Sequence, residues 1–230
     1  MALILQIETA TTSCSVALAK DGEMLAFKEI DQRNIHAEVI TLYIDEILAL
    51  SNATYAQLDA IAVSCGPGSY TGLRIGVSTA KGLCFALDKP LISVDTLAAM
   101  ATGLVTQGNI DNHTLLCPMI DARRMEVYTA IYRSNGEVVK PITAEIIDKD
   151  SFAELLAGND ILFFGDGAGK CCEVFSNNSH ARFLDGFANS AIHLTQIAAD
   201  KFDNSDFVDV AYFEPYYLKD FIAGVKKSIV

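Results

Sequence analysis

At 230 residues, 51% of them hydrophobic and 20% charged, the chain can bury a full core without metal or disulfide staples, which excludes disorder and low complexity. Seventeen Lys and Arg against 29 Asp and Glu leave a formal charge of -12, which repels a phosphate backbone and argues against autonomous nucleic-acid binding. No apolar run approaches the roughly 20 residues that span a bilayer, and the stretch from Met1 to Glu8 lacks the basic region of a signal peptide, so a cytoplasmic protein with no membrane partner is expected.

Residues 2–7 form an apolar run that ends in Glu8 and reads as a buried strand. Residues 14–19 alternate as a second strand, and Asp21-Gly22 supplies the positive φ of a tight hairpin turn into a third, 23–30. From residue 35 to 50 the period becomes helical. Residues 60–64 read as a buried strand, followed by the turn cluster Gly66-Pro67-Gly68-Ser69-Tyr70-Thr71-Gly72, in which Ser69 or Thr71 would cap a helix to about Leu87. A strand at 90–93 and a helix from Asp95-Thr96 to about Thr106 complete this half.

The second half repeats the order. Residues 115–120 end in Asp121, 126–132 form the next strand, Asn135-Gly136 turns the chain, and 137–147 are extended. A helix is predicted over 150–157, then a strand at 161–164, a glycine turn over 165–169 and another helix. A short strand near Phe183 and a helix over 188–202 follow. Strand, acid, loop, strand, turn and strand thus occur twice, with Glu8 and Asp121 in equivalent places. Two similar α/β halves, 1–108 and 109–230, resemble the actin-like ATPase (ribonuclease H-like) fold.

In that superfamily the acids of the two hairpins hold metal and glycine-bearing loops grip phosphate. Here the loops are Glu8-Thr9-Ala10-Thr11-Thr12-Ser13 and Asp121-Ala122-Arg123-Arg124-Met125, and neither has a glycine. Glu8, Thr11, Thr12 and Asp121 are the candidate nucleotide contacts, against the plainer reading that the hydroxyls close the hairpin loop. Gly165 to Cys171 fails the phosphate-loop spacing and lacks the hydroxyl after Lys170. The four histidines, His36, His113, His180 and His193, include no pair three or four apart, so no helical metal pair is expected. Cys14, Cys65, Cys84, Cys117, Cys171 and Cys172 have no C-x-x-C spacing and read as reduced core thiols.

Gly66 to Gly76, with Ala80-Lys81-Gly82-Leu83, closely resembles the signature of the bacterial TsaB family of tRNA threonylcarbamoyladenosine biosynthesis proteins, once labelled glycoprotease-like. Ile7-Glu8-Thr9-Ala10, His36-Ala37, Asp121 to Tyr128 and Pro215-Tyr216-Tyr217-Leu218-Lys219 are similar to further family pieces, with Lys219 in place of the usual Arg. The resemblance implies a non-catalytic, activating subunit with no cofactor of its own. ATP and metal would belong to partners: a larger paralogous metal-binding transferase and a small ATPase. Transfer RNA would be met only within the complex, and the chain would form a homodimer when the partner is absent. An independent actin-fold ATPase or small-molecule kinase is the alternative, and a metallopeptidase a more distant one.

Helical spacing puts Ile40, Tyr43, Ile44 and Ile47 on one face of the first helix. On the second it aligns Gly72, Ile75, Gly76, Thr79 and Leu83. Two glycines four apart, each costing roughly 1 kcal/mol relative to Ala, imply close helix–helix approach, so these nine residues are the predicted partner interface. The plainer reading is that the glycines let the helix lie close to its own sheet.

Overall fold

The computed structural model describes residues 2–108 and 110–219. The first sheet contains β1 (Leu3–Glu8), β2 (Ser13–Lys20), β3 (Glu23–Asp31), β4 (Ala60–Gly66) and β5 (Leu91–Asp95), in the order β3-β2-β1-β4-β5. Strand β1 runs antiparallel to β2 and parallel to β4. It is therefore central and covered on both faces, which accounts for its apolar run, broken only by the buried Gln6 before Glu8 ends the strand. Asp21 and Gly22 both take positive φ, 52° and 77°, as the tight turn between β2 and β3 requires.

The second sheet contains β6 (Leu115–Asp121), β7 (Glu126–Tyr132), β8 (Val138–Ile146), β9 (Ile161–Phe164) and β10 (Ala181–Leu184). Its order, β10-β9-β6-β7-β8, is that of the first sheet repeated, with β6 antiparallel to β7 and parallel to β9. The molecule is the two-lobed, actin-like α/β fold that the sequence repeat predicts.

Helices α1 (His36–Leu50) and α2 (Tyr70–Leu87) pack side by side on the first sheet, α1 over β2 and α2 over β4. Helix α3 (Thr96–Thr106) serves both lobes. Its Ala99 packs with Ile92 and Val94 of the first sheet, while Leu97, Met100 and Leu104 meet Leu116, Ile120 and Phe164 of the second.

Three predicted elements differ. The helix over 150–157 shrinks to α4 (Ala153–Leu156), because Phe152 takes a left-handed φ of 60° just before it. After β9 there is only a 3-10 turn, Gly169–Cys171. Here Gly167 donates to the Met119 carbonyl at 3.0 Å, drawing the segment onto β6 instead of letting it coil. The helix predicted over 188–202 starts only at Thr195, as α5 (Thr195–Asp203), preceded by a 3-10 turn, Ala191–Leu194.

The division at residue 108 also needs correction in space. Leu194 and Ala198 pack with Ala62, Ile92 and Val94 of the first lobe. Val208 N–H bonds the Leu91 carbonyl at 3.0 Å, and Tyr216 N–H bonds the Cys65 carbonyl at 2.7 Å. Residues 191–219 therefore complete the first lobe. All six cysteines are free thiols, Cys172 half-buried and the rest buried. Among the described residues no helix is long and apolar enough to cross a membrane.

Candidate functional site

The glycine-rich segment docks the loop between β1 and β2. Ser69 N–H donates to the Ala10 carbonyl at 2.6 Å, and a Cβ at Gly68 would overlap Ala10. One turn on, a Cβ at Gly72 would overlap the Thr9 carbonyl, and one at Gly76 would overlap the Thr9 hydroxyl. From α1, His36 Nε2 lies 3.0 Å from the Thr11 carbonyl; a carbonyl only accepts, so Nε2 carries the proton. The carbonyls of Thr9, Ala10 and Thr11 thus face the starts of two helices. Of the two predicted caps it is Ser69 that serves, its hydroxyl accepting Gly72 N–H at 3.2 Å.

Glu8 is 1% exposed and is not among the residues that line the cleft between the lobes. One carboxylate oxygen accepts Ala10 N–H at 2.5 Å and the Ser64 hydroxyl at 2.9 Å. Burial outweighs these bonds and pushes its pKa up to about 7. As a nucleotide or metal contact, Glu8 is corrected: it points into the protein. The Thr11 hydroxyl accepts Ser13 N–H at 3.3 Å within the loop, Thr12 donates to Asp31 at the end of β3 at 2.5 Å, and both residues line the cleft between the lobes.

The second hairpin is built differently. Asp121 is exposed and ion-paired with Lys170, and it accepts Arg123 N–H at 3.0 Å. Its own N–H bonds Asp166 at 3.0 Å. Arg123 and Arg124 take positive φ, 72° and 51°, a conformation that costs a non-glycine residue roughly 1–2 kcal/mol. The metal–triphosphate arrangement of active actin-like ATPases does not fit this pair of hairpins. One acid is sealed and bonded inside, the other is paired with a lysine, and the first loop's carbonyls are engaged. Among the described residues no three of His, Cys, Asp and Glu converge as a metal site.

Between the lobes lies an open cleft of about 970 Å³. The first hairpin loop and the N-terminal turn of α2 form one wall, and Asp121 to Arg123 with Asp166 the other. Tyr216 to Lys219 close one side, with Lys219 ion-paired to Glu126. Tyr217 packs on Tyr70 at 4.8 Å between ring centroids, and Arg74 lies 4.2 Å over the Tyr70 ring while donating to the Tyr217 hydroxyl at 3.2 Å.

The predicted interface is only partly at the surface. Ile40, Ile44 and Ile47 are buried in the first lobe's own core, so they are withdrawn as partner contacts. Gly72 and Gly76 are buried against the Thr9 loop, and they too are corrected: their close approach is to the chain itself. Ile75, Thr79 and Leu83 remain half-buried on α2, and so does Tyr43 on α1, on the side toward β3, with the Lys28 ammonium 5.7 Å from its ring centre. The outward face carries Leu50, which the periodicity adds to the apolar arc of the first helix, and two residues that the spacing argument missed, Leu42 and Phe85. Leu42, Leu50 and Phe85 are 56%, 65% and 86% exposed. Ser78 and Gly82 are exposed on the Phe85 face of α2, and among the described residues nothing lies within 4 Å of a Cβ at Gly82. Gly82 is therefore the glycine of α2 that internal packing does not explain. It stood in the quoted motif, but residue type alone does not say which glycine faces outward.

The chain matches the model of the TsaD family, tRNA N6-adenosine threonylcarbamoyltransferase, over residues 29–219. It is 32% identical to the tRNA threonylcarbamoyladenosine biosynthesis protein TsaB of Escherichia coli K12, covering 97% of both chains. Identity to the TsaB of Haemophilus influenzae is 30%, over 97% of this chain and 96% of that one. Among solved structures, YeaZ from Pseudomonas aeruginosa is similar with a TM-score of 0.78 at 28% identity, covering 95% of this chain and 100% of the other. A further Pseudomonas aeruginosa structure, described as similar to peptidase YeaZ, gives 0.82 at 25% identity over the same shares.

Proposed function

The chain belongs to the TsaD threonylcarbamoyltransferase family, on its TsaB branch of tRNA threonylcarbamoyladenosine biosynthesis proteins, and on that premise we propose that it is a non-catalytic, activating subunit. It pairs with a larger, metal-binding TsaD-type transferase that modifies the adenosine beside the anticodon, and a small ATPase joins the pair. ATP, metal and tRNA are handled by the assembly, in the cytoplasm. Without the larger subunit, two copies of this chain cover the same face.

The observation that carries this reading is the outward surface of α1 and α2. Leu42 and Leu50 of α1 and Phe85 of α2 stand in solvent, and one turn before Phe85 the helix glycine Gly82 has open space above it. A glycine in a helix interior is costly, and room for a second backbone offsets that cost. The sealed Glu8 and the engaged first loop speak against the ATPase alternative, which predicts free acids at both hairpins.

Co-expression with the TsaD-type subunit tests the pairing. Phe85→Asp should abolish co-purification and threonylcarbamoyl transfer while leaving the melting temperature of the isolated chain within about a degree, since Phe85 touches little of its own protein. Full co-purification by that variant would overturn the assignment of this face.

A further inference from the structure

Strand β3 is the outer strand of the first sheet, and among the described residues no backbone group outside β2 bonds to residues 23–31. Its free side offers a row of N–H and C=O groups, the template on which a further strand pairs. Phe27 lies opposite Ala17 and Met24 opposite Ala19, so the one unmatched residue, Leu25, makes a bulge that puts Met24 and Phe27 on the same face. That is the face crossed by Ser190 and Ala191, which bond Glu29 and Ser15 at 2.7 Å each, while α1 covers the other. Met24, Leu25 and Phe27 are 46%, 50% and 42% exposed. Large apolar side chains on an unpaired edge are what natural sheets avoid unless something pairs there.

Met24 also lines a pocket of about 220 Å³, together with Gly22, Thr102, Thr106, Ile192 and His193. That volume is below the roughly 300–1,000 Å³ of cofactor sites and suits a single side chain. His193 is 5% exposed and its Nδ1 has no hydrogen-bond partner among the described residues, while Gln107 Nε2 lies 3.4 Å from its Nε2. A buried polar atom left unmet is costly until an incoming group meets it. The charge along the edge is one-sided. Glu23 precedes the apolar stretch and Glu29 and Asp31 follow it, all three exposed and none ion-paired among the described residues. Lys28, the basic residue of β3, is held by Glu46 of α1.

We infer that β3 and this pocket take an extended, basic segment of a partner protein. Its backbone pairs with β3, its lysines or arginines answer Glu23, Glu29 and Asp31, and one apolar side chain enters the pocket beside Met24. The acids and the bulge turn away acidic or indiscriminate strands. A second copy of this chain would set the same acids against these, and a nucleic acid is repelled by them. The site lies at the sheet edge, on the face away from α1 and α2, so it is independent of the pairing proposed above.

Fluorescence anisotropy on the full chain tests this with a labelled heptapeptide, Val-Leu-Val flanked by two lysines on each side. One control replaces every lysine by glutamate, and the other methylates the central backbone amides, which removes their hydrogen-bond donors. The lysine peptide should bind at least tenfold more tightly than either control, and more weakly as salt is raised. Met24→Lys should weaken it at least tenfold at an unchanged melting temperature. Thr106→Trp, which fills the pocket from an exposed position, should weaken it at least threefold. Glu23→Lys changes charge at an exposed site and should do the same, so a folding defect in Met24→Lys leaves the test standing. Phe85→Asp, on the other face, should bind the peptide as the parent does, which keeps this result separate from that of the pairing. No binding at millimolar peptide, equal affinity for either control, or full affinity in both Glu23→Lys and Thr106→Trp would overturn the inference. So would sedimentation in which the parent self-associates and Met24→Lys does not, because a second copy would then be the occupant of the edge.

Discussion

Gly76 lies against Thr9, so close that the smallest side chain at that helix position would overlap the threonine hydroxyl. The contact joins the middle of α2 to the loop that opens the first sheet. Its demand is steric and internal, because both residues are buried and the neighbouring Gly72 meets the Thr9 carbonyl in the same way.

Gly76→Ala should therefore destabilise the isolated chain, by about 1–3 kcal/mol as overpacking of a tight core does. Helix propensity pulls the other way by roughly 1 kcal/mol, so the steric term decides the sign. Thermal melts should show a fall of several degrees, with Thr9→Ala restoring part of it in the double variant. A melting temperature equal to or above that of the parent would mean that the loop simply moves aside.

Gly82 is the contrasting case. A Cβ there meets open space, so Gly82→Ala should raise stability by roughly 0.5–1 kcal/mol through helix propensity alone. Gly82→Leu should leave the melt unharmed yet block the partner's approach, which co-purification reads directly. Two glycines six residues apart on one helix would then separate a folding role from a docking role.

Much of this architecture was legible in the residues. The turn at Asp21-Gly22, the repeat of strand, acid and hairpin, and the helix cap at Ser69 all follow from local rules that structure rarely overrides. The missing helix after β9 was not legible, since its cause is the bond from Gly167 to Met119, a tertiary contact across 48 residues of chain (167 minus 119). Part of the predicted interface lies in the core for a related reason. Ile40, Ile44 and Ile47 have the spacing of any amphipathic face, and periodicity marks a buried side without saying whether a sheet or a partner buries it. The inward turn of Glu8 had no signal at all, because an acid at a strand end reads the same whether it faces solvent or Ser64.

The C-terminal segment is held on α2 largely by Tyr217 against Tyr70 and Arg74, with Lys81 donating to the carbonyls of Ala211 and Phe213 at 3.2 and 2.8 Å. An aromatic pair of this kind contributes about 0.5–1.5 kcal/mol. Tyr217→Ala should lower global stability by no more than that, yet hydrogen exchange at Tyr216, whose N–H bonds the Cys65 carbonyl, should quicken several-fold. Unchanged protection at that amide would show that the lysine contacts suffice.

Glu8 should give the stability profile a falling limb. Its carboxyl is raised from the ordinary 4.5 to about 7 by burial, so between those values the folded state holds a proton that the unfolded state has released. Stability contributed by the neutral acid is fully present below 4.5 and is lost as pH rises to 7. The gap of about 2.5 pH units corresponds to roughly 3 kcal/mol as an upper figure. His193 acts with the opposite sign in an overlapping window: burial holds it down near 4 from 6.5, so it destabilises the fold as pH falls through that range. The raw profile mixes the two, and the difference between parent and Glu8→Gln isolates the carboxyl, because glutamine keeps an oxygen for Ala10 and Ser64. Urea midpoints from pH 4.5 to 8 should show glutamine gaining on the parent as pH rises, with the difference flat above about 7. A difference that does not vary with pH would mean that Glu8 is ionised throughout, and that water reaches it.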